Sequence, residues 1–190
     1  MAKRAQYLGR VDNRQAIGSW LSGPRAAALA PCAAMALAVT FRPARADEPP
    51  GADLLAAMID ELTPLYGRID VPGAPTATPE ELAPPGGAFL VGLAADGRAV
   101  ACGGVKRLDD RACEIKRMFV APEVRGQGVA RALLRALEDQ ARRLGYAVAR
   151  LDTGRHQPDA EHLYRSAGYA AIGNFNANPF ASFWGEKPLA

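Results

Sequence analysis

The stretch from Ala112 to Gly145 constrains the fold more than any other part of the chain. Ala112–Val120 has the apolar content of a strand, a short loop then carries Arg125, Gly126 and Gly128, and a helix begins at once. Within that helix Val129, Ala130, Leu133, Leu134, Leu137, Ala141 and Leu144 fall on one stripe, and Gly145 is a suitable stop just past its end. Arg135–Asp139, Glu138–Arg142 and Asp139–Arg143 stand at i,i+4 and are expected as ion pairs on its wet side. A strand, a tight loop and a one-sided helix in direct succession require a sheet covered by helices.

The flanking sequence extends that pattern into a single mixed α/β domain. Leu37, Val39 and Phe41 alternate, so 37–42 reads as a strand ending at Pro43. Residues 52–66 place Leu54, Leu55, Met58, Ile59 and Leu62 at helical spacing, with Pro64 in the last turn. The proline-rich stretch 70–87 reads as loop with one helical turn at Pro79–Leu82. Runs 88–95 and 98–108 are strands joined at Asp96-Gly97, a strong hairpin signal, and Asp109-Asp110-Arg111 turns the chain into the strand 112–120. A strand at 147–152, a helix at 158–167 opened by Pro158 and closed by Gly168, and strands at 169–172 and 182–186 complete the order. No internal repeat is visible.

Composition removes several classes. The 190 residues suffice for one domain and an appendage. The hydrophobic fraction of 49% permits a real core, and 23% charged residues is a globular value. Three cysteines without C-x-x-C spacing argue against a disulfide framework or a zinc site and fit a reducing compartment. With two histidines there is little support for metal chemistry. The net charge of +3 is uneven: residues 1–34 carry five basic side chains against Asp12 alone, whereas residues 35–190 hold 18 basic and 19 acidic ones. The main body therefore offers no general case for a nucleic-acid partner. Residues 1–25 lack periodicity, and the apolar run 26–39 is too short to span a bilayer. That run also has the look of a secretory apolar region with Ala44-Arg45-Ala46 behind it, although Arg42 and Arg45 crowd the cleavage position. The other reading makes residues 1–34 a disordered or non-native extension and lets the domain proper run over 35–190.

The loop Arg125–Ala130 carries the clearest chemistry. Glycines let backbone approach a bulky anion, and the free N–H groups of a helix start point towards it. Arg125 adds a charged donor, so the loop has the makings of a pyrophosphate cradle. Glycine-rich strand–helix turns also serve packing alone, and spacing leaves both readings open. The loop lacks the Gly-Lys-Ser/Thr ending of a P-loop and the G-x-G-x-x-G of a dinucleotide site.

Arg125-Gly-Gln-Gly-Val-Ala resembles the Arg/Gln-x-x-Gly-x-Gly/Ala motif of the GNAT superfamily of acetyl-CoA-dependent N-acetyltransferases. Glu114-Ile-Lys-Arg-Met-Phe-Val resembles that family's central strand, and Ala160-Glu-His-Leu-Tyr-Arg-Ser-Ala-Gly-Tyr its late helix, so three motifs stand in order across about residues 37–188. The resemblance implies a central, mostly antiparallel sheet flanked by helices, and acetyl-CoA as co-substrate without a metal. The pyrophosphate would rest on Arg125, Gly126, Gln127, Gly128, Val129 and Ala130. The pantetheine arm would lie along Met118, Phe119 and Val120, touching backbone. Glu114 is the implied base that deprotonates the attacking amine, and Tyr164 the implied proton donor to the leaving thiolate. On spacing alone Glu114 reads as solvated or paired with Lys116 or Arg117. Likewise Tyr164 reads as part of the packing stripe Ala160, Leu163, Tyr164 and Ala167. Gln157 stands where many relatives have Asn, which keeps an amide for the cofactor but moves it by one methylene. The implied activity is acetyl transfer to a primary amine of a small molecule in the cytoplasm, with no membrane partner and room for a homodimer. A non-catalytic acyl-CoA-binding module of the same fold is the competing expectation. Lys116, Arg117 and Arg155 are candidates to meet a substrate carboxylate, His156 is expected to be exposed, and the loop 174–180 to border the acceptor site.

A chain beginning at Met35 is expected to match the full chain in melting temperature and in the thermal shift given by acetyl-CoA, because deletion through Ala34 removes no expected element. A lower melting temperature in the shortened chain would show that residues 1–34 are part of the folded body.

Overall fold

Apolar runs within residues 88–120, buried on both faces, build an antiparallel meander, and the remaining elements extend it to a seven-stranded sheet. The computed structural model describes residues 37–67 and 76–189. Its strands are β1 (Val39–Pro43), β2 (Ala88–Ala94), β3 (Ala99–Arg107), β4 (Ala112–Val120), β5 (Val148–Gly154), β6 (Ala170–Ala171) and β7 (Ala181–Pro188). The strand order is β1-β2-β3-β4-β5-β7-β6, and every neighbouring pair is antiparallel except β4 with β5. Gly97 takes φ +84° in the β2–β3 turn, as an Asp-Gly hairpin requires. The next turn is tied by Asp109, whose Oδ1 accepts the backbone N–H groups of Arg111 and Ala112 at 2.8 Å each.

Three helices cover the two faces. α1 (Gly51–Tyr66) sets Leu54 and Met58 on Phe89, Val91, Cys102 and Phe119. α2 (Val129–Arg143) sets Leu133, Leu134, Leu137 and Ala141 on the opposite face, against Val100, Val105 and Ile115. The three leucines are at most 1% exposed, and each contributes about 2 kcal/mol of apolar burial. α3 (Pro158–Ser166) follows β5 and buries Tyr164 on the α2 side. The fold is thus the mixed, mostly antiparallel sheet with flanking helices that the sequence implies. No helix among the described residues is long and apolar enough to cross a membrane.

Local expectations meet the structure with a few corrections. The turn at Thr78–Leu82 is a single capped turn. Thr78 Oγ1 accepts the Glu81 N–H, and the Glu81 carboxylate accepts the Thr78 N–H in return. Residues 122–124 form a 3-10 turn inside the loop before α2. Residues 1–34 and 70–75 lie outside the described residues. Ala44 donates its N–H to the Phe89 carbonyl at 3.0 Å and Ala46 is buried, so cleavage after Ala46 would strip β1 from the sheet.

None of the three expected i,i+4 pairs of α2 forms among the described residues: Asp139 pairs with Arg142, and Arg143 donates to Gln140. Glu138 is 4% exposed and takes both carboxylate oxygens to Lys187 Nζ on β7, at 2.9 Å each. Arg142 instead donates to Asp139 and to the Leu189 carbonyl. Helical spacing identifies neighbours along one helix, but the stronger partner here comes from a strand 49 residues away. Lys187→Met is expected to cost about 3 kcal/mol in chemical denaturation, because it leaves the Glu138 charge buried without its partner, and Glu138→Leu in the same chain should restore most of the loss.

Candidate active site

The site exists because β4 and β5 part company. Their parallel pairing covers only Ala112–Glu114 against Val148–Arg150. On its other side β4 stays paired with β3, but the register slips between Lys116 opposite Gly104 and Phe119 opposite Cys102. Arg117, at φ +58°, sits in that bulge. The extra residue resets the alternation, so Lys116 and Phe119 share the α1 face while Met118 and Val120 join the α2 face. Beyond the last β4–β5 pair the gap opens into a cleft of about 200 Å³.

The α2 side of the cleft is lined by Met118, Gln157, Ala160 and Tyr164. Tyr164 is 7% exposed, and its hydroxyl points to the Met118 sulfur at 3.8 Å. Burial, then the charge of Asp152, pushes its pKa well above the usual tyrosine value, so the phenol keeps its proton. Gln157 precedes α3 and turns its amide oxygen back to Thr153 Oγ1 and the Gly154 N–H, at 3.4 Å each. His156 is exposed, as expected.

Next to this side lies the start of α2. Gly126 and Gly128 hold φ of +73° and +80°, a conformation other residues adopt only with strain, and a Cβ on Gly126 would meet nothing within 4 Å. No side chain caps α2 and its first turn carries no acid, so its first N–H groups and the positive end of its dipole face outward. Val129 and Phe119 are buried in the core, which leaves only their backbone for a ligand. The donor expected on Arg125 is partly engaged within the protein. Its Nε donates to the Val120 carbonyl at 2.9 Å and its guanidinium pairs with Glu61 of α1 at 2.6 Å. Arg125 therefore pins the loop to α1, and in doing so occupies the Val120 carbonyl.

The α1 side carries a network that sequence spacing reveals only in part. Glu114, at 2% exposure, is buried rather than solvated. Its Oε1 accepts Lys116 Nζ at 3.0 Å and Asn176 Nδ2 at 2.7 Å. Burial drives its pKa up, with Lys116 opposing. Lys116 also pairs with Asp152 at 3.0 Å, so its charge is shared between two carboxylates and is not free to meet a substrate carboxylate. Asn176 Nδ2 donates to Asp152 as well, at 2.9 Å, and its oxygen accepts Trp184 Nε1 at 3.1 Å, which fixes the orientation of the amide. Asn178 Nδ2 donates to the other oxygen of Asp152. Asp152, Lys116, Asn178 and Phe180 line the cleft, and Glu114 stands one layer behind. The loop 174–180 borders the cleft as expected. Asp152, Asn176 and Trp184 were not singled out by sequence, since each is unremarkable until β5, β7 and the loop between β6 and β7 converge.

Comparison with known proteins agrees with this geometry. The family model described as "Acetyltransferase (GNAT) family" matches residues 55–169. A curated protein of Azospirillum brasilense named IAA acetyltransferase is 35% identical over 150 residues, 76% of this chain and 96% of that protein. A solved structure from Klebsiella pneumoniae, assigned as an acyl-CoA N-acyltransferase, is 29% identical with a TM-score of 0.65, covering 83% of this chain and 99% of the other. A GNAT family acetyltransferase from Elizabethkingia anophelis, solved with acetyl-CoA bound, shares the fold at a TM-score of 0.55 and 18% identity, covering 79% and 97%.

The uncapped start of α2 supplies a test in which stability and binding move in opposite directions. Ala130→Glu places a carboxylate in the first turn, where it stabilises the helix by about 0.5 kcal/mol but repels a pyrophosphate. The expected result is an unchanged or higher melting temperature without ligand, together with loss of the thermal shift produced by acetyl-CoA. A retained shift would remove the loop from the binding site.

Proposed function

The chain belongs to the acetyltransferase (GNAT) family, and on that footing we propose that it moves the acetyl group of acetyl-CoA to the primary amine of a small molecule, by direct attack in a ternary complex. One observation carries the reading: the cleft passes through the sheet, with Tyr164 and Met118 on the α2 side and a carboxylate network on the α1 side. Donor and acceptor can approach from opposite faces and meet between them, which is the positioning a bimolecular transfer needs. The start of α2 fits the pyrophosphate, and a neighbour of the same fold carrying acetyl-CoA supports this donor.

On this reading each residue of the cleft has a role that the geometry supports. Along the open edge of β4, Met118 offers backbone to the pantetheine arm, and Gln157 flanks it from the start of α3. The amine nitrogen attacks the thioester carbon; the C–N bond forms and the C–S bond breaks. Glu114 takes the amine proton across one water, since it stands behind the cleft wall. Its raised pKa brings its basicity closer to neutral pH than an ordinary carboxylate's. Tyr164 gives its proton to the departing sulfur and regains one from solvent, so the products are the acetamide and the free thiol. Cys102 and Cys113 are buried, with burial pushing both thiols up to about 12, so neither acts as a thiolate that carries the acetyl group. Free buried thiols also accord with a reducing, cytoplasmic setting. The presence of Tyr164 in the cleft and of Glu114 directly behind its wall disfavours the binding-module alternative.

Thiol release with a panel of amines tests the activity. Tyr164→Phe is expected to lower kcat about 100-fold while the KM for acetyl-CoA stays within about twofold, because the proton donor acts mainly in the transition state. In the wild type the rate should fall as pH drops through the Glu114 pKa, which lies above the usual carboxylate range. A Glu114→Gln variant that kept the same acid limb would assign the proton to another group.

A further inference from the structure

We propose that Asp152 binds the ammonium group of the acceptor and that the acceptor is a cationic amine carried on an apolar, ring-sized body seated against Tyr66 and Phe180. The inference rests on the acetyltransferase reading for what happens next, but its binding claim stands on the cleft alone.

Asp152 is the only carboxylate among the residues lining the cleft. Its Oδ1 accepts two donors, Lys116 Nζ and Asn176 Nδ2, whereas its Oδ2 accepts Asn178 Nδ2 alone. An ionised carboxylate takes about four hydrogen bonds, so Oδ2 retains an acceptor position suited to an ammonium donor. The cations facing the same space are Lys116 and Arg117. Lys116 is held between Glu114 and Asp152 at 3.0 Å from each, and Arg117 sits in the strained bulge and has its own interaction. A substrate carboxylate would therefore meet Asp152 before it met an unshared cation.

Apart from Thr76, the remaining acceptor-side wall is apolar or aromatic. Met58, Leu62 and Tyr66 come from α1, and Phe180 from the loop before β7. Tyr66 packs edge-on to Phe180 at 5.8 Å, and its hydroxyl accepts the His156 N–H at 2.9 Å. That placement depends on Gly154: a Cβ there would lie 2.1 Å from the Tyr66 oxygen. The wall is thus fixed from three elements. A cavity of about 150 Å³ holds one benzene ring, so a cleft of about 200 Å³ that also admits the end of the donor seats one ring beside it.

Calorimetry on the full chain with free CoA present, using 2-phenylethylamine as probe, tests the proposal. The amine is expected to bind about tenfold more tightly or better than 2-phenylethanol, ethylamine or phenylalanine. Asp152→Asn should reduce it about tenfold, to the level of the alcohol, and Phe180→Ala should reduce it towards ethylamine. The acetyl-CoA thermal shift retained in both variants shows that they are folded. No binding of the probe, equal binding of phenylalanine or ethylamine, or an Asp152→Asn variant that binds as wild type would each overturn the assignment. Binding in the expected order without thiol release from acetyl-CoA would leave this inference standing and reject the proposed transfer.

Discussion

The pairing of β4 with β5 ends after three residues on each strand, and the working parts of the molecule depend on that early end. A sheet paired throughout would close the gap between the strands and bury both edges. Instead the bulge at Arg117 turns β4 while β5 runs on to Gly154, and the backbone of β4 beyond Glu114 faces a cleft rather than a neighbouring strand. Because the extra residue also resets the alternation, two positions of β4 that stand two apart, and would otherwise share a face, serve opposite faces. Lys116 belongs to the charged network under α1, and Met118 to the wall that holds the Tyr164 hydroxyl. One irregularity thus opens the site and assigns its sides.

Placing charges in such a gap is costly, and the structure offsets the cost with hydrogen bonds rather than exposure. Lys116 is shared between Glu114 and Asp152, Asn176 donates to both, and Trp184 fixes the Asn176 amide from the far side. Such a network holds its members in one geometry, and loss of any one leaves a buried group unpaired. It also ties the loop 174–180 to β4 and β5, so the segment that frames the α1 side of the cleft is held by the same bonds that orient the carboxylates. The opposite side of the cleft has a different economy. There the start of α2 is left without a cap, and an anion rather than a side chain is the natural partner of its N–H groups.

Arg125 illustrates how one residue type admits two uses. In the loop motif it reads as a donor to a phosphate, yet its guanidinium spans from the Val120 carbonyl to Glu61 on α1. Its contribution is to hold the loop against the helix packed on the other face of the sheet. The glycines then turn the backbone outward at the start of α2 through their positive φ values.

The sequence by itself determined the order of elements, the identity of α2 and the glycine turn before it. Those depend on local periods, on Asp-Gly and Gly at positive φ, and on residues within a few positions of one another. Motif resemblance also implied one site for Glu114 and Tyr164, and the place of loop 174–180 among the closing strands put that loop at its border. The tertiary structure alone decided that Glu114 is buried, that Lys116 is shared, that Glu138 pairs across to Lys187, and that Asp152 faces the cleft. Each of those outcomes joins residues from separate strands and loops, and each depends on a register set by packing across the sheet. A strand's side chains change face with a slip of one residue, and the bulge at Arg117 is such a slip. Local sequence carries no mark of it, so the partners of these charges became legible only once the strands were in place.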